Sequence, residues 1–480
     1  MKVVVDNLYA TVTEASAEEA DWLTGYLTFK TEGFVRAGGR SKHITSEVCL
    51  YNGRTRRFPA GVLALVRKAV PDEGYALDVT DQRLPPCAAL DLDVALDWHR
   101  DYQREATERA IGAGRGLLWL PTGACKTEIA AGLAAALPCR WLFVVHRSGL
   151  ARQAAERLER RTGERAGMIG DGEWRVERFT CATFATLYAA LEGRNPKHSP
   201  SDVMAVLGGI QGVIVEEAHT LPAQSYYRVI MAMSQAYWRI GLSGTPLARG
   251  DRRSIYTIAS LGPVIYHLKP GKLIDDGILA RPRIRMVRCL QSPAAKTWAG
   301  VYSEAVVKSA ARNRVVAEMA RAAEKPAIVF VKEVKHGAAL KATLERSGVS
   351  CVYVDGKAAT EKRQAAVKRL ERAEVDVLVS TVVFQEGVDI PCLRSVVVAA
   401  GGASVIAALQ RIGRGMRVAE GKDTFEVWDV FDQAPDGKEW LEKQARRRAG
   451  AYLAEGHAVE VADAVLGPYK PLVVRKGGHS

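Results

Sequence analysis

Short hydrophobic runs alternate with longer segments of helical periodicity from about residue 95 to residue 440. Ten of these runs predict buried β-strands, and they fall into two successive groups of five. The runs are GLLWL, WLFVVH, FTCATF, GVIVEE and RIGLSG, followed by AIVFV, VSCVYV, VDVLVST, SVVVAA and FEVWDV. Continuous runs of Val, Ile and Leu are typical of parallel strands that are covered on both faces. The pattern therefore predicts an α/β protein with two doubly wound parallel-sheet lobes.

The first 90 residues follow a different pattern. Strand-like runs at Val3–Val5, Leu27–Phe29 and Val48–Tyr51 are separated by Gly-rich and basic turns, and a helical stretch covers residues 60–70. A further strand is predicted at residues 75–79. We expect a small α+β accessory domain, whose basic turns either dock duplex DNA or form a solubilising surface.

These patterns divide the chain into four parts. They are an accessory domain at 1–90, a first lobe at 91–275, a second lobe at 276–440 and a tail at 441–480, with residues 247–282 linking the lobes. The tail is predicted to open with a basic helix. Its Arg446, Arg447 and Arg448 either grip a phosphate backbone or face water.

The amino-acid composition narrows the range of binding partners that we expect. Lys plus Arg exceeds Asp plus Glu by 67 to 54 among 480 residues, which gives a net charge of +13. Such an excess suits a polyanion, because phosphate contacts release condensed counterions. No apolar run is long enough to span a bilayer and no signal peptide is evident, so we expect a cytoplasmic protein without a membrane partner. The eight cysteines lack CxxC spacing, which argues against zinc.

The segment LLWLPTGACKTEIAAGL, residues 117–133, predicts a triphosphate site. An apolar strand runs into a Gly-containing turn and then an Ala-rich helix, so backbone N–H groups and the helix N-terminus can surround phosphates. Lys126 is placed to reach the β- and γ-phosphates, and the Thr127 hydroxyl to bind Mg²⁺. The cradle comprises Pro121, Thr122, Gly123, Ala124, Cys125, Lys126 and Thr127.

Cys125 stands where the usual phosphate-binding loop has glycine. A side chain at this position predicts backbone strain and weakened nucleotide affinity. Two interpretations of its thiol remain: an inert, tolerated variant, or a group sensitive to oxidation beside Lys126 and the helix N-terminus.

A second strand, GVIVE at residues 212–216, ends in two adjacent carboxylates. By itself such a pair is typical of a solvated strand end. With a phosphate loop about 90 residues upstream, we assign Glu216 to Mg²⁺ and Glu217 to the attacking water.

Together with these motifs, residues 95–450 resemble superfamily-two helicases of the DEAH-like group. That group includes phage branch-migration helicases and the translocase subunits of restriction enzymes. The resemblance implies two tandem RecA-like lobes, and ATP and Mg²⁺ as cofactors. The family usually has Asp where this chain has Glu216, which implies slower turnover.

The resemblance also implies roles for further residues. Arg100, Tyr102 and Gln103 match the adenine-reading element, with Gln103 bonding adenine and Tyr102 stacking on it. His219, Ser243 and Thr245 match positions that couple hydrolysis to lobe movement. Nucleic-acid contacts are implied for Arg147, Thr183, Lys332 and Thr381, nucleotide contacts for Gly387, Asp389 and Gln410, and arginine fingers for Arg414 and Arg417.

The function expected from the resemblance is ATP-dependent DNA helicase or translocase activity on branched or forked DNA, in branch migration, recombination or repair. The partner would be DNA at junctions, gripped through its phosphate backbone. Two alternatives stay open: an RNA helicase, and an ATP-switched clamp that binds nucleic acid without unwinding it.

Overall fold

The computed structural model divides the chain into two compact units, residues Met1–Leu268 and Lys269–Ser480. It describes residues 1–37, 40–220, 224–246, 254–356, 358–381, 390, 392–402, 413, 416, 422–433 and 440–472, with only the backbone of residues 32–37, 40–44 and 360. Every element and strand number given below refers to these residues. The four-part division expected from the sequence stays a prediction.

The first unit begins with a small α+β region. Its four-stranded sheet has the order β5-β2-β1-β6, in which only β1 and β6 are parallel. The elements are β1 (Lys2–Val5), β2 (Tyr9–Glu14), α1 (Ala17–Tyr26), β3 (Thr28–Ala37), β4 (Arg40–Cys49), β5 (Arg57–Pro59), α2 (Leu63–Ala69) and β6 (Asp78–Asp81). Strands β3 and β4 form a separate hairpin, so the short runs predicted at residues 27–29 and 48–51 lie at the ends of two ten-residue strands.

The rest of the first unit is a doubly wound lobe with strand order β10-β9-β11-β8-β12-β13-β7-β14. All its neighbouring strands are parallel except β9 and β10. The strands are β7 (Arg115–Trp119), β8 (Trp141–Val145), β9 (Gly167–Gly170), β10 (Glu173–Arg175), β11 (Phe179–Thr183), β12 (Gly212–Glu216), β13 (Trp238–Ser243) and β14 (Val264–His267). The helices are α3 (Leu92–Ala95), α4 (Asp101–Ala113), α5 (Lys126–Ala136), α6 (Ser148–Thr162), α7 (Phe184–Leu191), α8 (Pro200–Gly208), α9 (Gln224–Met231) and α10 (Ile255–Leu261).

The second unit holds another doubly wound sheet, with strand order β17-β18-β16-β19-β20-β15-β21-β22. Only β21 and β22 pair antiparallel. The strands are β15 (Arg281–Leu290), β16 (Ala327–Val331), β17 (Cys351–Val354), β18 (Val377–Thr381), β19 (Ser395–Val398), β20 (Thr424–Gln433), β21 (Val459–Ala462) and β22 (Lys470–Pro471). The helices are α11 (Pro270–Asp275), α12 (Trp298–Tyr302), α13 (Ala310–Ala322), α14 (Val334–Arg346), α15 (Thr360–Glu371) and α16 (Trp440–Ala454). The α/β fold class with two parallel-sheet lobes is thus confirmed.

The expected linker at residues 247–282 was wrong in part. Residues 255–268 belong to the first unit, where β14 pairs with β7. Strand β15 then opens the second sheet at Arg281. Strand β14 escaped the hydrophobic pattern because its four residues, VIYH, are only partly buried at the sheet edge.

Helix α10 also joins the accessory region to the first lobe. Its Ile255 and Ala259 share a buried cluster with Val62 and Val66 of that region. Gly61 lies so close to α10 that a Cβ there would collide with the carbonyl oxygens of Ile258 and Ala259. A glycine is therefore required for this close approach.

The tail helix α16 forms as predicted, but it is not a uniformly solvated basic face. Arg446 and Arg447 are exposed, and Arg446 pairs with Glu442 of its own helix. Arg448 is buried and bonded to Asp429 of β20, so it is unable to reach a phosphate backbone. Among the helices given above, none has the length and hydrophobicity that a bilayer crossing requires.

Candidate nucleotide-binding site

The phosphate loop lies between the end of β7 and the start of α5, at the carboxyl edge of the first sheet. Leu120 N donates to Ser243 O at 2.9 Å, which ties the loop to the end of neighbouring β13. Within the part of the chain that is described, no side chain caps the start of α5. The first N–H groups of an eleven-residue helix therefore face the loop, as anion binding requires.

Cys125 adopts a left-handed backbone conformation, with φ 50° and ψ 52°. Glycine takes this conformation without penalty, whereas a residue with a Cβ loses roughly 1–2 kcal/mol. The strain expected from the missing glycine is therefore present. The thiol is exposed, and its Sγ lies 3.6 Å from Gly123 O.

The two carboxylates at the end of β12 titrate very differently. Burial, reinforced by the charge of Glu217, raises the pKa of Glu216 to about 7. Burial alone would also raise the pKa of Glu217, but the charge of Lys126, with the hydrogen bond and charge of His219, lowers it to about 2. Glu217 is thus a permanent anion beside Lys126, as a group that orients water needs to be.

A chain of hydrogen bonds leads from Glu217 to the end of β13. His219 Nδ1 lies 3.2 Å from Glu217 Oε2 and 3.1 Å from Ser243 Oγ. Ser243 Oγ in turn accepts from Thr245 N at 3.1 Å. The residues expected to couple hydrolysis to movement are therefore connected directly to the predicted catalytic carboxylate.

The donor set fits a magnesium–triphosphate group. Glu216 is the last residue of β12 and Glu217 follows it, so two carboxylates lie at the same strand end. Thr127 lies in the first turn of α5, half-buried, on the same sheet edge. Oxygen atoms of this kind are the ligands that Mg²⁺ prefers, with phosphate oxygens and water completing the shell.

The adenine-reading residues are not arranged as expected. Tyr102 is only 2% exposed, and its hydroxyl donates to Ala124 O at 3.2 Å. The ring is therefore not available for stacking on adenine and supports the phosphate loop instead. Gln103 is also buried, and its Oε1 accepts from Arg100 N at 3.0 Å as part of the start of α4. Arg100 itself is exposed.

Two predicted nucleic-acid contacts of the first unit lie on one sheet edge. Arg147 follows β8 and is exposed, whereas Thr183 ends the neighbouring strand β11. The Thr183 side chain is 6% exposed and accepts from Thr186 N at the start of α7. The Thr183 hydroxyl thus caps α7, and the nucleic-acid contact expected of Thr183 stays a prediction.

In the second unit, Lys332 follows β16 and Thr381 is the last residue of β18, and these two strands are also neighbours. Lys332 is exposed, and its ammonium lies 5.0 Å from the centre of the Tyr302 ring. Thr381 is 5% exposed, and its Oγ1 makes no hydrogen bond within the described residues. The remaining predicted residues of this unit, Gly387, Asp389, Gln410, Arg414 and Arg417, lie outside the residues that the structure describes.

Sequence reasoning missed a buried support of the phosphate loop. Glu128, the residue after Thr127, is 5% exposed and bonds to both Arg157 and Arg161 of α6. Its backbone oxygen lies 3.0 Å from His99 Nε2. The spacing of the two arginines, four residues apart on one helix face, was the available signal. Without the fold, it indicates only a basic helix surface.

Two family models match the chain over these regions. The first, described as the res subunit of type III restriction enzymes, matches residues 98–248. The second, described as the helicase conserved C-terminal domain, matches residues 310–419. The first region contains the phosphate loop and both carboxylates, and the second lies in the second unit.

Individual relatives agree with these matches. A putative DNA 3'-5' helicase Rad25 of Haloarcula marismortui is 28% identical over 74% of this chain and 56% of its own length. The ATP-dependent DNA helicase uvsW of Enterobacteria phage T4 is 26% identical over 69% of this chain and 68% of its own. The chain thus spans little more than half the length of the archaeal relative.

A solved structure supports the fold. A fragment of a putative HsdR subunit of a type I restriction enzyme from Vibrio vulnificus covers 95% of this chain and 83% of its own. Its TM-score is 0.54 and its identity is 19%, so the likeness concerns the fold alone.

Proposed function

We propose that this chain, which belongs to the superfamily-two helicases, is an ATP-driven DNA helicase or translocase that acts on branched or forked DNA. The observation that carries the proposal is the line of residues from Lys126 through Glu217 and His219 to Ser243. Three strand ends bring these residues together, and the charge of Lys126 helps to keep Glu217 ionised.

Each residue then has a defined task. Lys126 and the open N-terminus of α5 hold the phosphates, and Glu217 orients and accepts a proton from the attacking water. Thr127 and Glu216 would hold Mg²⁺, which would neutralise charge on the phosphates. His219 passes any displacement of Glu217 to Ser243, whose hydroxyl is bonded to the backbone of Thr245.

Several observations support DNA as the substrate. The relatives named above are described as DNA helicases, and the chain has a net charge of +13. Exposed Arg147 and Lys332 stand at strand ends of the two sheets, where backbone phosphates would be gripped. Preference for branched DNA is proposed from the resemblance to phage branch-migration helicases.

The test is steady-state ATP hydrolysis without nucleic acid and with single-stranded DNA, duplex DNA, a four-way DNA junction and duplex RNA. We expect the junction to stimulate most, and Lys126→Ala to remove the stimulation. Lys269→Ala, a change outside the site, is the control for loss of a single positive charge.

Other outcomes separate the alternatives. Greater stimulation by RNA would contradict DNA specificity and favour an RNA helicase. Tight DNA binding with slow ATP turnover and no strand displacement would identify a clamp. Absence of any ATP hydrolysis in the wild-type protein would contradict the enzymatic proposal altogether.

A further inference from the structure

Three side chains from three different helices bind one short loop in the second unit. The loop, Ala399–Gly402, follows β19, and we refer to it as the β19 exit loop. Arg312 Nη1 donates to Ala399 O at 2.8 Å and Tyr302 Oη to Ala400 O at 2.6 Å. Arg448 Nη1 donates to Gly402 O at 2.6 Å. Three of the four carbonyl groups of the loop are therefore fixed by side chains distant in sequence.

Both arginines are themselves fixed by carboxylates of β20. Arg312 binds Asp432 through Nε at 2.7 Å and Nη2 at 3.1 Å. Arg448 binds Asp429 in the same two-pronged manner, through Nε at 2.8 Å and Nη2 at 3.0 Å. The planar guanidinium group leaves Nη1 of each arginine directed at the loop. Lysine, with one ammonium, has no equivalent geometry.

Stability alone does not account for this arrangement. Removing two ion pairs from water costs several kcal/mol per ion, and apolar residues of similar size often serve a core as well or better. Arg312 is 0% exposed and Arg448 1% exposed. What the ion pairs provide is orientation, since a doubly bonded guanidinium holds its remaining N–H group at a fixed angle.

The loop needs such orientation because its backbone is otherwise permissive. Gly401 has φ 59° and Gly402 has φ 81°, both in the left-handed region. Two successive glycines have many accessible conformations, and fixing each one costs conformational entropy. The hydrogen bonds from Tyr302, Arg312 and Arg448 select one of them.

The position of the exit loop in the sequence indicates why its conformation matters. The segment that carries Gln410, Arg414 and Arg417 begins directly after Gly402. Within that segment, the backbone oxygen of buried Met416 accepts a hydrogen bond from Ala280 N at 2.6 Å. A finger must reach a phosphate with sub-ångström accuracy, so the fixed points from which its segment departs affect the rate of hydrolysis.

We propose that Arg448, Tyr302 and Arg312 are positioning residues for ATP hydrolysis that act through the backbone of the β19 exit loop. Helix α16, which lies beyond both matched family regions, is then part of the catalytic apparatus. This inference rests on the proposed function, because it assumes that arginines of the following segment serve hydrolysis.

The test compares Tyr302→Phe and Arg448→Lys with the wild-type full-length chain, by DNA-stimulated ATP hydrolysis. Tyr302→Phe removes one hydroxyl and leaves the ring. We expect kcat to fall about tenfold, within the loss of up to about 10²-fold that a misplacement of catalytic groups by about 1 Å can cause. The KM for ATP and the Kd for DNA should stay within about twofold, because Lys126 and the exposed cations are untouched.

Tyr353→Phe is the matched control. Tyr353 also donates its hydroxyl to a backbone carbonyl of the same unit, that of Val334 at 3.1 Å, and bonds nowhere in the exit loop. We expect wild-type kcat for it. Thermal unfolding of all variants checks that they are folded, and hydrogen exchange of the exit-loop amides should increase in Tyr302→Phe and Arg448→Lys only.

The outcomes are distinguishable. An active wild-type protein with unchanged kcat in both Tyr302→Phe and Arg448→Lys would overturn this inference alone. A parallel loss of kcat in Tyr353→Phe, or a rise in KM that accounts for the lost rate, would also overturn it by indicating a general structural effect. A wild-type protein without DNA-stimulated hydrolysis would refute the proposed function, and this inference with it.

Discussion

The phosphate edge of the first unit and the β19 exit loop of the second unit use charged residues in opposite ways. At the phosphate edge, Glu217 keeps 23% of its side chain exposed, and Lys126 is half-buried. Around the exit loop, Arg312 and Arg448 are fully buried, and each guanidinium is bound by protein oxygens on both sides. Side chains that act on a ligand need hydrogen-bonding atoms that the ligand can reach. Side chains that position a backbone instead use their hydrogen-bonding atoms within the protein.

The backbone conformations of the two regions also differ. Cys125 and Glu217 both have φ 50°, a left-handed conformation that is costly for residues with a Cβ. In the exit loop, the left-handed positions are Gly401 and Gly402, for which the conformation carries little penalty. Of these two regions, the phosphate edge is therefore the one in which residues with a Cβ adopt the strained conformation.

The largest expected effect concerns the first region. Glu217→Gln keeps the shape of the side chain but removes the charge that the site maintains, so ATP hydrolysis should fall by about 10²- to 10⁴-fold. Nucleotide binding should change little, whereas the thermal midpoint should fall somewhat, because the lowered pKa of Glu217 means that its charge stabilises the folded protein. Steady-state kinetics measure the rate of ATP hydrolysis and the KM for ATP, and thermal unfolding measures the midpoint. Glu108→Gln, at an exposed position of α4, is the control, and equal losses in the two variants would contradict the assignment.

In the second region we expect a large effect on stability, in contrast to the effect on ATP hydrolysis in the first region. Arg312→Met leaves the Asp432 carboxylate buried without its partner, which should lower the free energy of unfolding by about 3–5 kcal/mol. Urea unfolding followed by hydrogen exchange in the second unit measures this loss. Arg314→Met, two residues away and exposed, should cost less than about 0.5 kcal/mol. Equal free energies of unfolding for Arg312→Met and Arg314→Met would mean that the ion pair between Arg312 and Asp432 does not form as described.

A third prediction concerns how the free energy of unfolding depends on pH through a buried histidine of the second unit. Burial, with a smaller contribution from the charge of Arg312, lowers the pKa of His336 to about 3. The unfolded chain, with a histidine pKa near 6.5, therefore binds more protons between these values, and stability falls as pH falls. From pH 7 to pH 5 we expect a loss of about 2 kcal/mol from this group.

His336→Gln should remove this part of the pH dependence, while His267→Gln, at an exposed position, should leave it in place. The free energy of unfolding at several pH values provides the measurement. An unchanged slope in His336→Gln would contradict the prediction, because it would mean that the folded and unfolded chains bind protons equally at this position.

The smallest effect expected tests the strain at Cys125. Cys125→Gly should relieve the left-handed conformation and, after the added flexibility of the unfolded chain, raise stability by about 1 kcal/mol. The KM for ATP should fall. Cys125→Ala removes the thiol but keeps the Cβ, so it should retain the wild-type values. If both variants improve ATP binding equally, the thiol and not the backbone limits affinity.

Much of this arrangement followed from local sequence. The ten apolar runs predicted strands that lie within a few residues of those observed, because a parallel strand covered on both faces must be apolar throughout. The phosphate loop and the Glu216–Glu217 pair were likewise recognisable, since their chemistry depends on neighbours in the chain. Strand β14 was missed because an edge strand with three half-buried residues and one exposed residue leaves no such pattern.

Tertiary structure decided what long-range contacts control. Tyr102 and Thr183 have residue types suited to ligand contacts, yet folding placed both inside, where their hydroxyls bond to the protein itself. Likewise, three adjacent arginines in α16 look equivalent in sequence, but only Arg448 meets a buried carboxylate, 19 residues earlier in the chain. The sequence by itself determined the fold class and the chemistry of the nucleotide site, because both depend on local order. Which polar side chains remain available depends on burial, and burial exists only once distant segments have packed together.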